Sequence, residues 1–152
     1  MRTNRQMRQL LESMGISLPQ ALAKASVEDF PEMITVDGSV LLAQEYGLAR
    51  SVSVKDFPDR TGYESFVNHF HIPYEGTRAS LDGLLARVAA IRKGLERYAA
   101  GRRFLIIVSI SEKECTIRFH ECRPPEAWLA DSLEGYMDEA VAAISVGDAA
   151  DR

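Results

Sequence analysis

Three histidines, one arginine and one cysteine carry the most chemistry in this sequence. His69 and His71 lie two apart in a run rich in aromatic and β-branched residues, so on a strand both imidazoles project from one face. Arg118, His120 and Cys122 repeat that spacing on a second stretch, where Cys115, Ile117 and Phe119 fill the alternate positions. If the two strands are near neighbours, His69, His71, His120 and Cys122 converge. Such a set suits zinc, because imidazole nitrogen and thiolate sulfur match that ion at tetrahedral geometry. The same groups suit hydrolysis: two histidines, titrating near neutrality, act as base and acid while Arg118 holds an anionic substrate such as a phosphodiester. The plainer reading is a polar or partly buried sheet face with hydrogen-bonded imidazoles. No phosphate-binding loop, G-x-S-x-G, His-Glu-x-x-His or Cys-x-x-Cys pair frames either chemistry.

A different chemistry lies in the acidic stretch that follows. Glu126 to Met137 reads as a helix with Trp128, Leu129, Leu133, Tyr136 and Met137 on its buried side. Glu126, Asp131, Glu134 and Asp138 lie on the same stretch, with Glu139 just beyond it. A run of this kind is usually a solvated face. As a functional surface it would dock a basic partner protein, with Glu126, Asp131, Glu134 and Asp138 steering the encounter and Trp128 as the anchor. The N-terminal end has the opposite sign: Arg2, Arg5, Arg8 and Lys24 stand against Glu12 alone in residues 1–25. The two ends can therefore attract each other or different partners. In outline the first two helices are similar to a helix-turn-helix, but the second offers only Gln20 and Lys24 for contacting nucleic acid.

Length and composition bound these readings. A chain of 152 residues, 46% hydrophobic and 26% charged, fits one soluble domain over residues 1–146 with a disordered polar tail at 147–152. The net charge of −4 disfavours nonspecific binding to nucleic acid or membranes. No apolar run approaches bilayer length, and the N-terminus lacks the apolar core of a signal peptide. With arginine far outnumbering lysine, a coding bias of GC-rich genomes, this points to a bacterial, cytoplasmic protein. On one strand Cys115 and Cys122 would lie about 23 Å apart, beyond disulfide reach.

The elements that must position these groups centre on a hairpin over residues 104–122. Phe104 to Val108 is a continuous apolar run, expected for an internal strand, and Cys115 to Phe119 alternates like a half-buried one. Asn4 to Met14 is a helix ended by Gly15, and Leu18 to Ala25 a second short one; Ser26 to Asp29 repeats a helix-start signal. Met33 to Val36 is a strand entering the Asp37-Gly38 turn, and Val40 to Gly47 is either its partner or, the preferred reading, a helix. Ser51 to Phe57 is expected as a strand. Tyr63 to Ile72 is assigned as a strand in preference to a helix, and Ser80 to Ala99 is a helix ended by Gly101. Ala140 to Val146 is a helix extension or an edge strand. The sum is an α+β two-layer sandwich, with a mostly antiparallel sheet of about four strands and helices mainly on one face. A crossover from 63–72 through the long helix to Phe104 would make those two strands parallel neighbours.

The reading that best fits is a small protein-interaction domain, an inhibitory or immunity-type binder of a basic partner. The alternatives are the histidine-dependent hydrolase or zinc protein and, third, a DNA-binding regulator. A homodimer contact through an exposed strand edge is open to any of them.

Overall fold

The computed structural model describes residues 1–24 and 30–147. The helix-start signal at 26–29 and the tail beyond Gly147 lie outside the described residues. In chain order the elements are β1 (Arg2–Thr3), α1 (Arg5–Ser13), α2 (Leu18–Lys24), β2 (Met33–Val36), β3 (Ser39–Leu42), α3 (Ala43–Leu48), α4 (Arg60–Val67), β4 (His69–Pro73), α5 (Arg78–Tyr98), β5 (Phe104–Ile110), β6 (Glu114–Glu121) and β7 (Ala140–Val146). Single 3₁₀ turns lie at Val54–Asp56 and Leu133–Gly135. The architecture is the α+β sandwich with an antiparallel sheet that the pattern predicts. The main sheet has the order β1-β7-β5-β6-β4, with every neighbouring pair antiparallel, and β2-β3 is a separate hairpin.

The two faces of the main sheet differ because the strands alternate. One face presents Phe104, Ile106, Val108 and Ile110 of β5, Cys115, Ile117 and Phe119 of β6, and Ala142, Ile144 and Val146 of β7. Met7 and Leu11 of α1, Leu18 and Leu22 of α2, and the α5 stripe Leu81, Leu84, Leu85, Val88, Ile91 and Leu95 cover it. Burying each such side chain stabilises by about 1.5–3 kcal/mol, and this dry layer holds the fold together. Gly94 lies on that side of α5: a Cβ there would stand 2.9 Å from Met33 Cε, whereas one on Gly83 would meet nothing within 4 Å. Of the two helix glycines, it is therefore Gly94 that permits a close approach, to Met33 of β2.

Asn4 ties the N-terminus to the end of the chain. Its Oδ1 accepts from the backbone of Met7 and Val141, and its Nδ2 donates to the carbonyls of Tyr136 and Glu139. Gly15 and Gly101 end α1 and α5 as expected, both at positive φ. Among the described residues no helix is long and apolar enough to cross a membrane.

Six local expectations are corrected. Val40 to Leu42 is a strand and the helix begins only at Ala43, because Asp37 and Gly38 both take positive φ, the two-residue turn that closes a hairpin. The alternating Val52 and Val54 pack with Phe57 against Tyr63 and Leu41, around a 3₁₀ turn closed by Asp56 on the Ser53 amide at 2.7 Å. Tyr63 to Val67 is helical and only His69 to Pro73 extended: Asp59 caps the Gly62 amide at 2.7 Å, and Tyr63 and Val67 bury as a helical pair. Residues 126–137 do not form a helix beyond the 3₁₀ turn. The stripe Leu129, Leu133 and Tyr136 instead lies on the second face of the sheet, and the Tyr136 carbonyl is engaged by Asn4. β7 is internal, lying between β1 and β5, and β4 is separated from β5 by β6, so no parallel pair forms.

Candidate functional site

The second face of the sheet carries the polar side chains of the alternating strands. Pairing register sets them in rows. One row runs Arg2, Ala143, Ile107, Arg118, His69, and the next Val141, Ser109, Thr116, His71. His120 lies in a third row beside Leu105. The expected shared face of His69, His71, Arg118 and His120 is therefore present. Its members have different environments.

His69 donates from Nδ1 to the Phe66 carbonyl at 2.7 Å, and its ring meets His71 edge-on with centroids 5.2 Å apart. His71 is exposed, with Nδ1 3.2 Å from Glu114 Oε1. His120 is buried. Its Nδ1 donates to the Glu121 carbonyl at 2.9 Å, its Nε2 has no hydrogen-bond partner, and burial lowers its pKa below the ordinary value of 6.5. Cys122 lies just past the end of β6, its amide on the Arg103 carbonyl at 2.8 Å. Among the described residues no group of three or more His, Cys, Asp or Glu is placed to hold a metal ion. The convergence of His69, His71, His120 and Cys122 on zinc thus does not form: two imidazoles sit on an edge strand and the third is sealed beneath the surface.

Arg118 stands at the centre of what remains. Its guanidinium lies over the Trp128 ring, 5.1 Å from the centroid, and Nη1 donates at 3.5 Å to the Ser65 carbonyl. Burial lowers its pKa, and the charge of Glu139 acts in the opposite sense. A cleft of about 200 Å³ opens beside it, floored by Ile107, Ser109, Thr116 and Val141 and walled by Trp128, Leu129 and Tyr136, with Glu139 at its rim. Glu139 accepts from the Ser109 hydroxyl. The shared face of Thr116 and Arg118 follows from the alternation of β6, whereas Ser109 joins them through the register of β5 against β6. Tyr136 and Glu139 arrive by the irregular course of 123–139, which no local pattern announces.

A much larger trough, about 1340 Å³, runs between α5 and the β4 edge past Phe70, Ala86, Ala90 and Ala43. Arg87 lies over the Phe70 ring within it, and Glu32, Glu45 and His71 are scattered along its sides.

The acidic residues also divide. Glu126 accepts from the Thr61 amide and hydroxyl at 3.1 and 2.8 Å, capping α4, and Glu134 accepts from the Arg5 amide and pairs with Arg8 at 3.0 Å, capping α1. The attraction expected between the two chain ends is thus realised within the molecule. Asp131 and Asp138 are exposed, and neither carboxylate has a partner among the described residues. In the helix-turn-helix outline, α2 has only seven residues and packs Leu18 and Leu22 into the core, with Gln20 and Lys24 left exposed.

One ionic cluster escaped notice in the sequence. Glu64 is fully buried and accepts from Arg123 at 2.6 and 3.0 Å and from the Glu121 amide at 2.7 Å. Glu121 in turn pairs with Arg123 and with Arg102, which also donates to the Gly38 carbonyl at 2.8 Å. Arg102 holds the Glu121 carboxyl below its ordinary pKa. These partners are 2 to 64 residues apart in sequence, so only the fold assembles them.

Fold and site together define an α+β protein with a helix-covered dry face and a polar, partly covered second face. The chain belongs to the uncharacterized protein PM0498 family, whose model matches residues 2–150. No curated protein and no solved structure matches it.

Proposed function

We propose that this chain is a protein-interaction module whose contact surface is the irregular segment 124–139 and the strip of side chains beside it. The observation that carries the reading is exposure where burial would be expected: Trp128 and Phe66 are each 42% exposed and Met137 75%. Trp128 lies on Arg118, in register with His69, whose ring is 6.0 Å from that of Phe66. Aromatic, arginine and methionine side chains are the types enriched at interfaces, and tryptophan and arginine dominate their energetics. Asp131 and Asp138 supply open negative charge on the same segment, which favours a basic partner; an inhibitory or immunity-type role in a bacterial cytoplasm is the specific form we propose. The test is affinity capture from a lysate of the source cells. The wild-type chain should retain a basic protein that both Trp128→Ala and the pair Asp131→Lys, Asp138→Lys lose. Equal recovery with all three baits would remove this surface from consideration.

A further inference from the structure

We propose that the cleft beside Arg118 binds a small zwitterion of the α-amino-acid type, its carboxylate on the guanidinium and its ammonium toward Glu139. Two opposite charges line one cleft without meeting. Arg118 and Glu139 both contribute to its wall, yet they lie beyond ion-pair distance of each other, and Glu139 is held instead by the Ser109 hydroxyl. The guanidinium has five donors, of which a single long hydrogen bond to Ser65 uses one. Trp128 engages it through its ring, 5.1 Å from Cζ to the centroid, a contact that accepts no conventional hydrogen bond. A partly desolvated cation with open donors gains most from an oxyanion that can accept in the guanidinium plane.

A simple anion would meet repulsion from Glu139, and a simple cation repulsion from Arg118. A ligand carrying both charges a few bonds apart satisfies the two together. The volume, about 200 Å³, is below the roughly 300–1,000 Å³ of pockets that enclose drug-sized molecules, which limits the occupant to something of amino-acid size. The apolar walls from Leu129, Tyr136 and Trp128 suit a compact aliphatic side chain, and the Thr116 hydroxyl on the floor, 3.4 Å from His71 Nδ1, adds a polar contact. The cleft lies within the proposed contact surface and shares Trp128 with it, but the titration below uses the chain alone, so its failure is distinguishable from a failure of partner capture.

Trp128 is the only tryptophan in the chain, so its fluorescence reports on the cleft directly. The wild-type chain is titrated at matched ionic strength with each proteinogenic α-amino acid other than tryptophan, with acetate and with methylammonium. The expected result is a saturable change with one or more amino acids and none at the same concentrations with acetate or methylammonium. Glu139→Gln, at an exposed residue whose replacement can still accept from Ser109, should weaken that binding by roughly tenfold or more, as should Arg118→Gln. No saturable response to any amino acid overturns the proposal. So does acetate saturating at the same concentration, which would make the cleft a plain anion site, or an unchanged midpoint in Glu139→Gln.

Discussion

Arg118 and Arg123 lie five residues apart on and just beyond the same strand, yet Arg123 is saturated with carboxylates and Arg118 has none in contact among the described residues. Arg123 bonds to Glu64 through both terminal nitrogens and also to Glu121. Arg118 has an indole face, one long hydrogen bond to a carbonyl, and an open cleft. Both guanidiniums are partly desolvated, and only the first is in contact with carboxylates among the described residues. A buried ion pair of the first kind holds elements in place. A cation of the second kind is a feature the fold does not need, and therefore one that a ligand or partner can use.

The largest test of that contrast is mutational. Arg123→Met strands the fully buried Glu64 carboxylate and should cost about 3–5 kcal/mol in a urea or guanidinium unfolding experiment. A loss below about 1 kcal/mol would mean that the cluster is solvated and the two arginines are alike. The next effect is in pH. His120, which lies between the two on β6, is held neutral by burial, with Glu64, Asp59 and Arg123 as its charged surroundings. Its folded pKa is below 6.5, so as pH falls through 6.5 the unfolded chain takes up a proton that the folded one refuses, and stability declines. Glu121 acts in a lower window. Its carboxyl is depressed by Arg102, so its contribution is complete above 4.5 and disappears as pH falls through the folded value. The midpoint of thermal unfolding should therefore start to drop below about pH 6.5, and His120→Gln should flatten that first step while leaving the second. A wild-type midpoint that is constant from pH 7.5 to about 5 would contradict the sealed position of His120. The smallest effect belongs to Arg118 itself. Arg118→Gln should change stability by less than about 1 kcal/mol in either direction, because no buried carboxylate loses its partner. A cost as large as that of Arg123→Met would make Arg118 structural and close the cleft as a functional site.

Periodicity determined much of this protein. The α5 stripe, the alternation of Cys115, Ile117 and Phe119, the internal position of β5 and the one-sided display of His69, His71, Arg118 and His120 all follow from side-chain direction on a regular backbone, which is a local property. Where two periods competed, the neighbours chose. Tyr63 to Val67 fits a strand as readily as a helix until Asp59 and Glu126 cap it, and Glu126 is 65 residues away from the amide it meets. The Asp37-Gly38 signal for a hairpin was present but was outweighed by the apolar run after it. Residues 126–137 have a helical stripe, but Leu129, Leu133 and Tyr136 found the open face of the sheet, and two carboxylates, Glu134 and Glu126, found the amino ends of α1 and α4. Those choices depend on which surfaces are left uncovered once the dry layer has formed. The sequence alone thus determined which residues share a face, because that is set by the repeat of the backbone. Only the tertiary structure decided which arginine is neutralised, which histidine is sealed and where the cleft lies, because charge compensation and burial are properties of residues brought together from distant parts of the chain.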